Sequence, residues 1–203
     1  MNKTINFLCV LLAVVLLAAC FACVACNKTD DTPKPQPQPT DPTLVTSFES
    51  VDDLYALTAI EIAPDDEYRL SISTDKSYVS DGNASLRYTF ASGGSHLFCQ
   101  YIADSHLPQL DVAKLKAVSV DFFNTSDSAQ NVTLSVTTSS GAALFSKQQS
   151  ILPKAKTTVV YDELATFSYK KKANVAGFSV RFDVESPVTI YVDNMRVTLG
   201  TTD

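Results

Sequence analysis

Apolar side chains recur at every second position through most of the chain. Leu86, Tyr88 and Phe90 alternate with Arg87, Thr89 and Ala91, and Val118, Val120 and Phe122 alternate with Ser119 and Asp121. Val132, Leu134 and Val136 alternate with Thr133, Ser135 and Thr137, and Phe178, Val180, Phe182 and Val184 with Ser179, Arg181 and Asp183. A period of two sends successive side chains to opposite faces of a strand, so these segments read as antiparallel strands with one buried face. Further strands are expected at 44–49, 69–73, 97–102, 143–149 and 156–161. Asp81-Gly82-Asn83, Ser92-Gly93-Gly94, Thr125-Ser126-Asp127 and Ser140-Gly141 mark the turns between them. Around ten short strands predict an all-β chain folded as an antiparallel β-sandwich or jelly roll over residues 44–203. Helix is confined to 51–57, after a cap-like Ser50-Val51-Asp52-Asp53, and to a turn at 162–167.

The last strand, 188-VTIYVDNMRVTL-199, changes phase. Val188, Ile190 and Val192 share one face, but the apolar positions resume at Met195, Val197 and Leu199. A one-residue slip would turn the second half outward, and a bulge at Asp193-Asn194 absorbs it.

The first 43 residues follow another pattern. Phe7 to Cys26 is an unbroken apolar run behind Met1-Asn2-Lys3, which marks residues 1–26 as an export signal or membrane anchor rather than part of the fold. Within it 17-LAAC-20 resembles the lipobox of bacterial lipoproteins, which implies lipidation of Cys20. Cys26, in 23-CVAC-26 ahead of polar Asn27-Lys28, is the alternative, and an uncut span of ~20 apolar residues is a third. All three export the remainder and tether it to a membrane. Residues 27–43, NKTDDTPKPQPQPTDPT, carry five of the nine prolines and read as a disordered, extended linker of up to roughly 50 Å.

With four of the five cysteines in the leader, Cys99 stands alone in the folded part, so no disulfide staples it. A lone cysteine in Leu97-Phe98-Cys99 reads as a small buried hydrophobe. The net charge of −6 repels phosphate backbones and argues against a nucleic-acid partner.

Four stretches, in order, resemble the β-jelly-roll carbohydrate-binding modules and their galactose-binding-like relatives. They are Phe48-Glu49 closing the first strand, 78-YVSDGNASLRYTF-90 as a glycine turn feeding a strand, 110-LDVAKLKAVSVDFFN-124, and the closing 188-VTIYVDNMRV-197. The resemblance implies a structural calcium where first strand, glycine loop and last strand meet, with carboxylates from Glu49 and Asp193 and backbone carbonyls from Asp81 and Asn83. The residue-level alternative is that Asp193-Asn194 caps a bulge through local hydrogen bonds while Glu49 points into water. On the calcium reading Asp193 concerns stability and leaves any ligand face untouched.

The resemblance also implies a polysaccharide or glycan partner. The residues opposite the apolar faces that could hold one are Arg87, Asp121, Arg181 and Asp183, with Phe123 or Tyr101 as a stacking platform. The same residues equally read as a solvated face with cross-strand ion pairs, and there is no Trp, the side chain such modules use most. No catalytic residue is assigned. His96 and His106 have no ligand-type or triad-type spacing, 92-SGGSH-96 reads as a hairpin loop, and Lys170-Lys171-Lys172 as a solvated turn. Two functions therefore stand: a tethered, non-catalytic glycan-binding module, or an envelope module docking a protein partner. An exported glycan hydrolase is the third.

Overall fold

The computed structural model describes residues 43–61, 68–91, 93–185 and 187–200. The leader, the linker, Cys20 and Cys26 lie outside the described residues.

Eleven strands are present among the described residues: β1 (Leu44–Thr46), β2 (Leu57–Glu61), β3 (Tyr68–Ser73), β4 (Ser85–Phe90), β5 (Gly94–Tyr101), β6 (Leu115–Asn124), β7 (Gln130–Thr137), β8 (Ala143–Ile151), β9 (Ala155–Tyr161), β10 (Gly177–Val184) and β11 (Val188–Leu199). They form two antiparallel sheets. One runs β3-β4-β11-β6-β9 with β1 also on β11, and the other β2-β5-β10-β7-β8. Consecutive strands often lie in different sheets, which makes the sandwich a jelly roll.

The alternation in the sequence is the alternation of burial. In β4, Leu86, Tyr88 and Phe90 are buried while Arg87 is exposed; in β10, Phe178, Val180, Phe182 and Val184 point inward while Arg181 is exposed. The inward side chains of both sheets form one core. Phe182 sits at its centre, with ring centroids 5.2 Å from Tyr88, 5.4 Å from Phe90, 6.0 Å from Phe122 and 6.2 Å from Phe98. Each such ring contributes ~1.5–3 kcal/mol by leaving water.

The expected bulge is there. Asp193 pairs Asp121 but Arg196 pairs Ser119, so β11 carries one residue more than β6, and Asn194 takes a left-handed φ of 53°. Ile190, Val192, Met195 and Val197 consequently all stay in the core. The bulge also divides the other edge of β11. Val188 to Val192 pair with β4, whereas Met195 and Arg196 pair with β1.

Four expectations change. β2 was not expected, because 51–57 reads as helix; α1 (Val51–Tyr55) ends early and the chain turns directly into a strand. β1 stops at Thr46, because Phe48 has φ 57° and breaks the ladder before Glu49. β5 begins at Gly94, so His96 is not in a loop: it is fully buried, 4.7 Å from the Phe90 ring. The lysine run forms the short α2 (Tyr169–Lys172), and Lys172 is not solvated. It is 6% exposed and its Nζ donates to the carbonyls of Ala113 and Leu115, each at 2.9 Å.

Candidate functional site

The first strand, the glycine loop and the last strand do meet. The loop from Lys76 to Ala84 begins with a 3-10 turn over Lys76–Tyr78, capped by the Asp75 carboxylate accepting from the Ser77 N–H at 3.0 Å. It then crosses the gap that the β11 bulge leaves between β4 and β1. Asp193, fully buried, fastens it there. Its Oδ2 accepts from the backbone N–H groups of Ser80 (2.6 Å) and Asp81 (3.0 Å) and from the Ser80 hydroxyl (3.1 Å), while Oδ1 accepts from the Asn194 N–H (2.7 Å). Burial pushes the Asp193 carboxyl up to about 6 despite these hydrogen bonds.

Glu49 fastens the loop from the other side. Its carboxylate accepts from the Asn83 N–H at 2.9 and 3.0 Å and from the Ala84 N–H at 3.4 Å, so it does not simply point into water. Gly82, with φ 66°, makes room for it: a Cβ there would lie 2.0 Å from Glu49 Oε1. Glycine suits the position on both counts: the left-handed φ, and room for the Glu49 carboxylate that a Cβ would displace.

Glu49, Asp81, Asn83 and Asp193 thus share one corner, as the calcium reading requires, and the two carboxylates and the Asn83 carbonyl already accept from protein donors. Lys76 Nζ donates to the Asn83 carbonyl at 3.1 Å and to its Oδ1 at 3.0 Å. The Arg196 guanidinium donates to Asp81 Oδ2 and Thr43 Oγ1, at 3.1 and 3.3 Å, and to Asn194 Oδ1. Calcium needs six to eight oxygens free to turn toward it. Both carboxylates accept from backbone N–H groups, and Lys76 and Arg196 sit beside them, so protein donors hold this corner together. Among the described residues no three His, Cys, Asp or Glu side chains converge on a common point.

The six candidate ligand residues do not form one face. Arg87, Asp121 and Phe123 point outward from the β4–β11–β6 sheet; Tyr101, Arg181 and Asp183 point outward from the β5–β10 sheet, on the opposite side of the sandwich. On the second face Arg181 Nε donates to Asp183 Oδ1 at 3.2 Å, and the Ser95 hydroxyl donates to the same oxygen at 2.8 Å. The floor between them is Cys99, Ser179 and Ser135, small and nearly inaccessible. Burial raises the Cys99 thiol to about 11, which removes thiolate chemistry near neutrality.

The first face has more relief. Tyr191, opposite Arg87 and Phe123 in the ladder, is covered by Tyr78 from the loop: the rings stack at 4.1 Å and 11°. Tyr78 also meets Phe123 edge-on at 6.1 Å. Beside this ledge opens a cavity of about 310 Å³ lined by Tyr78, Phe123, Asn124, Thr125, Lys154 and Lys156 among others. Asp121 is no free ligand group. It is 4% exposed, accepts from Thr158 Oγ1 at 2.5 Å and from Lys156 Nζ at 3.1 Å. Burial raises its pKa, but hydrogen bonds from Thr158, Ser80 and Lys156 and the Lys156 charge outweigh that and hold it below the usual carboxylate range. Its role is to anchor Lys156 at the cavity wall.

Sequence reasoning missed Tyr78, Lys154 and Lys156. Tyr78 lies outside any alternating strand, and only the fold of its loop brings it over Tyr191. Lys154 ends the β8–β9 turn and Lys156 lies in the first residues of β9, and the neighbours of both are set by register.

No family model matches the chain, and no curated protein sequence does. Solved structures do. An arabinose-bound GH51 α-L-arabinofuranosidase matches with a TM-score of 0.56 at 18% identity over 79% of this chain, which spans only 27% of that enzyme. A family 11 carbohydrate-binding module from Clostridium thermocellum, in complex with a β-1,3-1,4-mixed-linked tetrasaccharide, matches with a TM-score of 0.51 at 12% identity, over 79% of this chain and 97% of the module. The C-terminal family 22 carbohydrate-binding module of Clostridium thermocellum Xyn10B matches with 0.50 at 13% identity, over 82% and 99%. The fold is therefore a jelly roll of the kind carbohydrate-binding modules have; at these identities the likeness is one of fold.

Proposed function

We propose that the protein is a non-catalytic glycan-binding module, exported and held at the cell envelope by a lipidated cysteine, Cys20 or Cys26, and a Pro-rich linker. The observation that carries this reading is the aromatic ledge of Tyr78 and Phe123 on the wall of the outer cavity. Pyranose rings present apolar C–H faces that stack on aromatic side chains, and neighbouring polar groups bond their hydroxyls. In a chain without Trp, a tyrosine and a phenylalanine held half-buried at the surface fill that role. Carbohydrate-binding modules of the same fold add weight, and they match along nearly their whole length.

The absence of catalysis is part of the proposal. His96 is packed in the core, Cys99 is a buried thiol, and Asp121 and Asp193 are fully engaged by protein donors. His106 is bound to Asp53 at 2.9 Å.

The test is a glycan array probed with the full chain in mild detergent, alongside Tyr78→Ala and Phe123→Ala. We expect micromolar binding to at least one oligosaccharide, weakened about tenfold or more by either variant, since truncating an aromatic anchor at a binding site typically costs ~1–2 kcal/mol or more. A blank array, or variants that bind like the wild type, removes the glycan reading and leaves docking of an envelope protein. The tether is tested separately by metabolic labelling with a clickable fatty acid: one of Cys20→Ser and Cys26→Ser should lose the label and the other keep it, and an unlabelled wild type removes the lipid anchor.

A further inference from the structure

The aromatic ledge is one end of a longer depression. A second cavity, of about 660 Å³, adjoins the first at the end of the same sheet and is lined by Thr89, Thr125, Ser126, Ser128, Lys154 and Thr189 among others. Thr125 and Lys154 border both. Each volume falls within the range of small-molecule sites, and together they offer space for several sugar units. The two ends differ in chemistry: rings at one, and at the other a floor rich in hydroxyls, where Thr89 and Thr189 Oγ1 atoms lie 3.2 Å apart.

Lys154 stands at the junction, and its position is built rather than incidental. Its backbone takes a left-handed φ of 50°, and its N–H donates to the Ser126 carbonyl at 3.1 Å, which pins the β8–β9 turn to the β6–β7 loop. One carboxylate of the cavity lining, Asp127, pairs with Lys154, and only loosely. Lys156 is held by Asp121, buried beneath it, so that pair brings no net charge to the groove. Lys154 Nζ pairs with Asp127 at 3.5 Å, with the carboxylate side chain 94% exposed, and so exposed a pair is loosely held and readily exchanged for a ligand carboxylate. On a chain of net charge −6, a cation at the centre of a sugar-sized groove is a selective feature.

We propose that the groove takes an oligosaccharide containing a uronic acid, with one ring stacked at Tyr78 and Phe123 and the carboxylate of the next bound by Lys154. This rests on the glycan-binding reading above and adds the class of sugar. A charge-assisted hydrogen bond is roughly twice as strong as a neutral one, which sets the scale of the preference at about tenfold.

The experiment is isothermal titration of the full chain in mild detergent with tetragalacturonate and with the neutral galactose tetramer of the same linkage. The acidic tetramer should bind about tenfold tighter or more. Lys154→Gln should bring the two affinities to within about twofold of each other, and Lys154→Arg should keep most of the difference. Lys154 is exposed, so both variants should melt with the wild type. Equal or better binding of the neutral tetramer, or a preference that survives Lys154→Gln, overturns the assignment while leaving the glycan reading intact. Binding of polyglutamate as tight as tetragalacturonate also overturns it, because charge alone would then suffice. Failure of both tetramers and of every arrayed sugar overturns both.

Discussion

Replacing Asp193 by Ala is the sharpest test of how the site is held. The substitution removes the acceptor of three backbone N–H groups, those of Ser80, Asp81 and Asn194, at 2.6, 3.0 and 2.7 Å, and of the Ser80 hydroxyl at 3.1 Å. Asp193 is fully buried, while its three partners are half-buried, so water reaches them only in part. An unmade hydrogen bond at a buried donor costs ~1–3 kcal/mol, and the low end for three donors gives about 3 kcal/mol. Burial pushes the Asp193 carboxyl up to about 6, so removing the desolvated charge returns some of this. A net loss of about 2–3 kcal/mol lowers Tm by roughly 4–12 °C for a unit of this size, at ~2–4 °C per kcal/mol. Circular dichroism of the full chain reads it. The near-ultraviolet band and glycan affinity should fall too, because Ser80 lies two residues from Tyr78 and the anchor holds the Tyr78–Tyr191 stack. Asp193→Asn, which keeps one acceptor oxygen, should fall between. A Tm drop under about 1 °C, or full affinity with a lowered Tm, would refute the argument.

Three further outcomes are expected. Neither chelator nor millimolar calcium should move Tm by more than about 1 °C, because Lys76 and Arg196 already sit on the oxygens of the glycine-loop corner; a calcium-dependent rise of several degrees would establish a metal there. Lys172→Met should destabilise by ~2–3 kcal/mol in urea titration, since it orphans the carbonyls of Ala113 and Leu115 at a 6%-exposed position; a loss below ~0.5 kcal/mol would show the ammonium to be dispensable. The His106–Asp53 pair should contribute under ~1 kcal/mol and only within a pH window. Its hydrogen bond to Asp53 raises the His106 pKa, so that part is present below ~6.5 and lost as pH rises through the folded value; for Asp53, burial is outweighed by the bonds from His106 and Ser50, its pKa is lowered, and that part is lost as pH falls below ~4. The stability difference between wild type and His106→Gln should peak between these limits and shrink as pH rises through the raised His106 pKa.

The sandwich was legible because its signal is local. Period-two alternation in β4, β6, β7 and β10 survives in burial, and the phase change at Asp193-Asn194 marks a real bulge. The site was legible only in fragments. Phe123 could be seen as an outward aromatic, but Arg181 and Asp183 alternate as regularly as Arg87 and Asp121, and periodicity assigns a face without saying which sheet owns it. Strand order separates the two groups, and strand order is set by long-range pairing. The corner shows the same limit. Residue types at Glu49, Asp81 and Asp193 suit a cation, yet Lys76 and Arg196 supply one, and nothing in their spacing announces the meeting. Under the proposed glycan site Asp193 is coupled to the ligand face, because Tyr78 rides on the loop that Asp193 holds.

The short first strand has a mechanical consequence. β1 is three residues long and pairs antiparallel with the end of β11, and just ahead of it the Thr43 carbonyl accepts from the Val197 N–H at 2.8 Å. Under the proposed tether, any pull between the envelope and a captured glycan enters the sandwich through these few bonds. Glu49, bound to the loop that carries Tyr78, lies three residues beyond Thr46. Force that peels β1 would therefore reach the ligand platform next, so the module should release its cargo before its core yields.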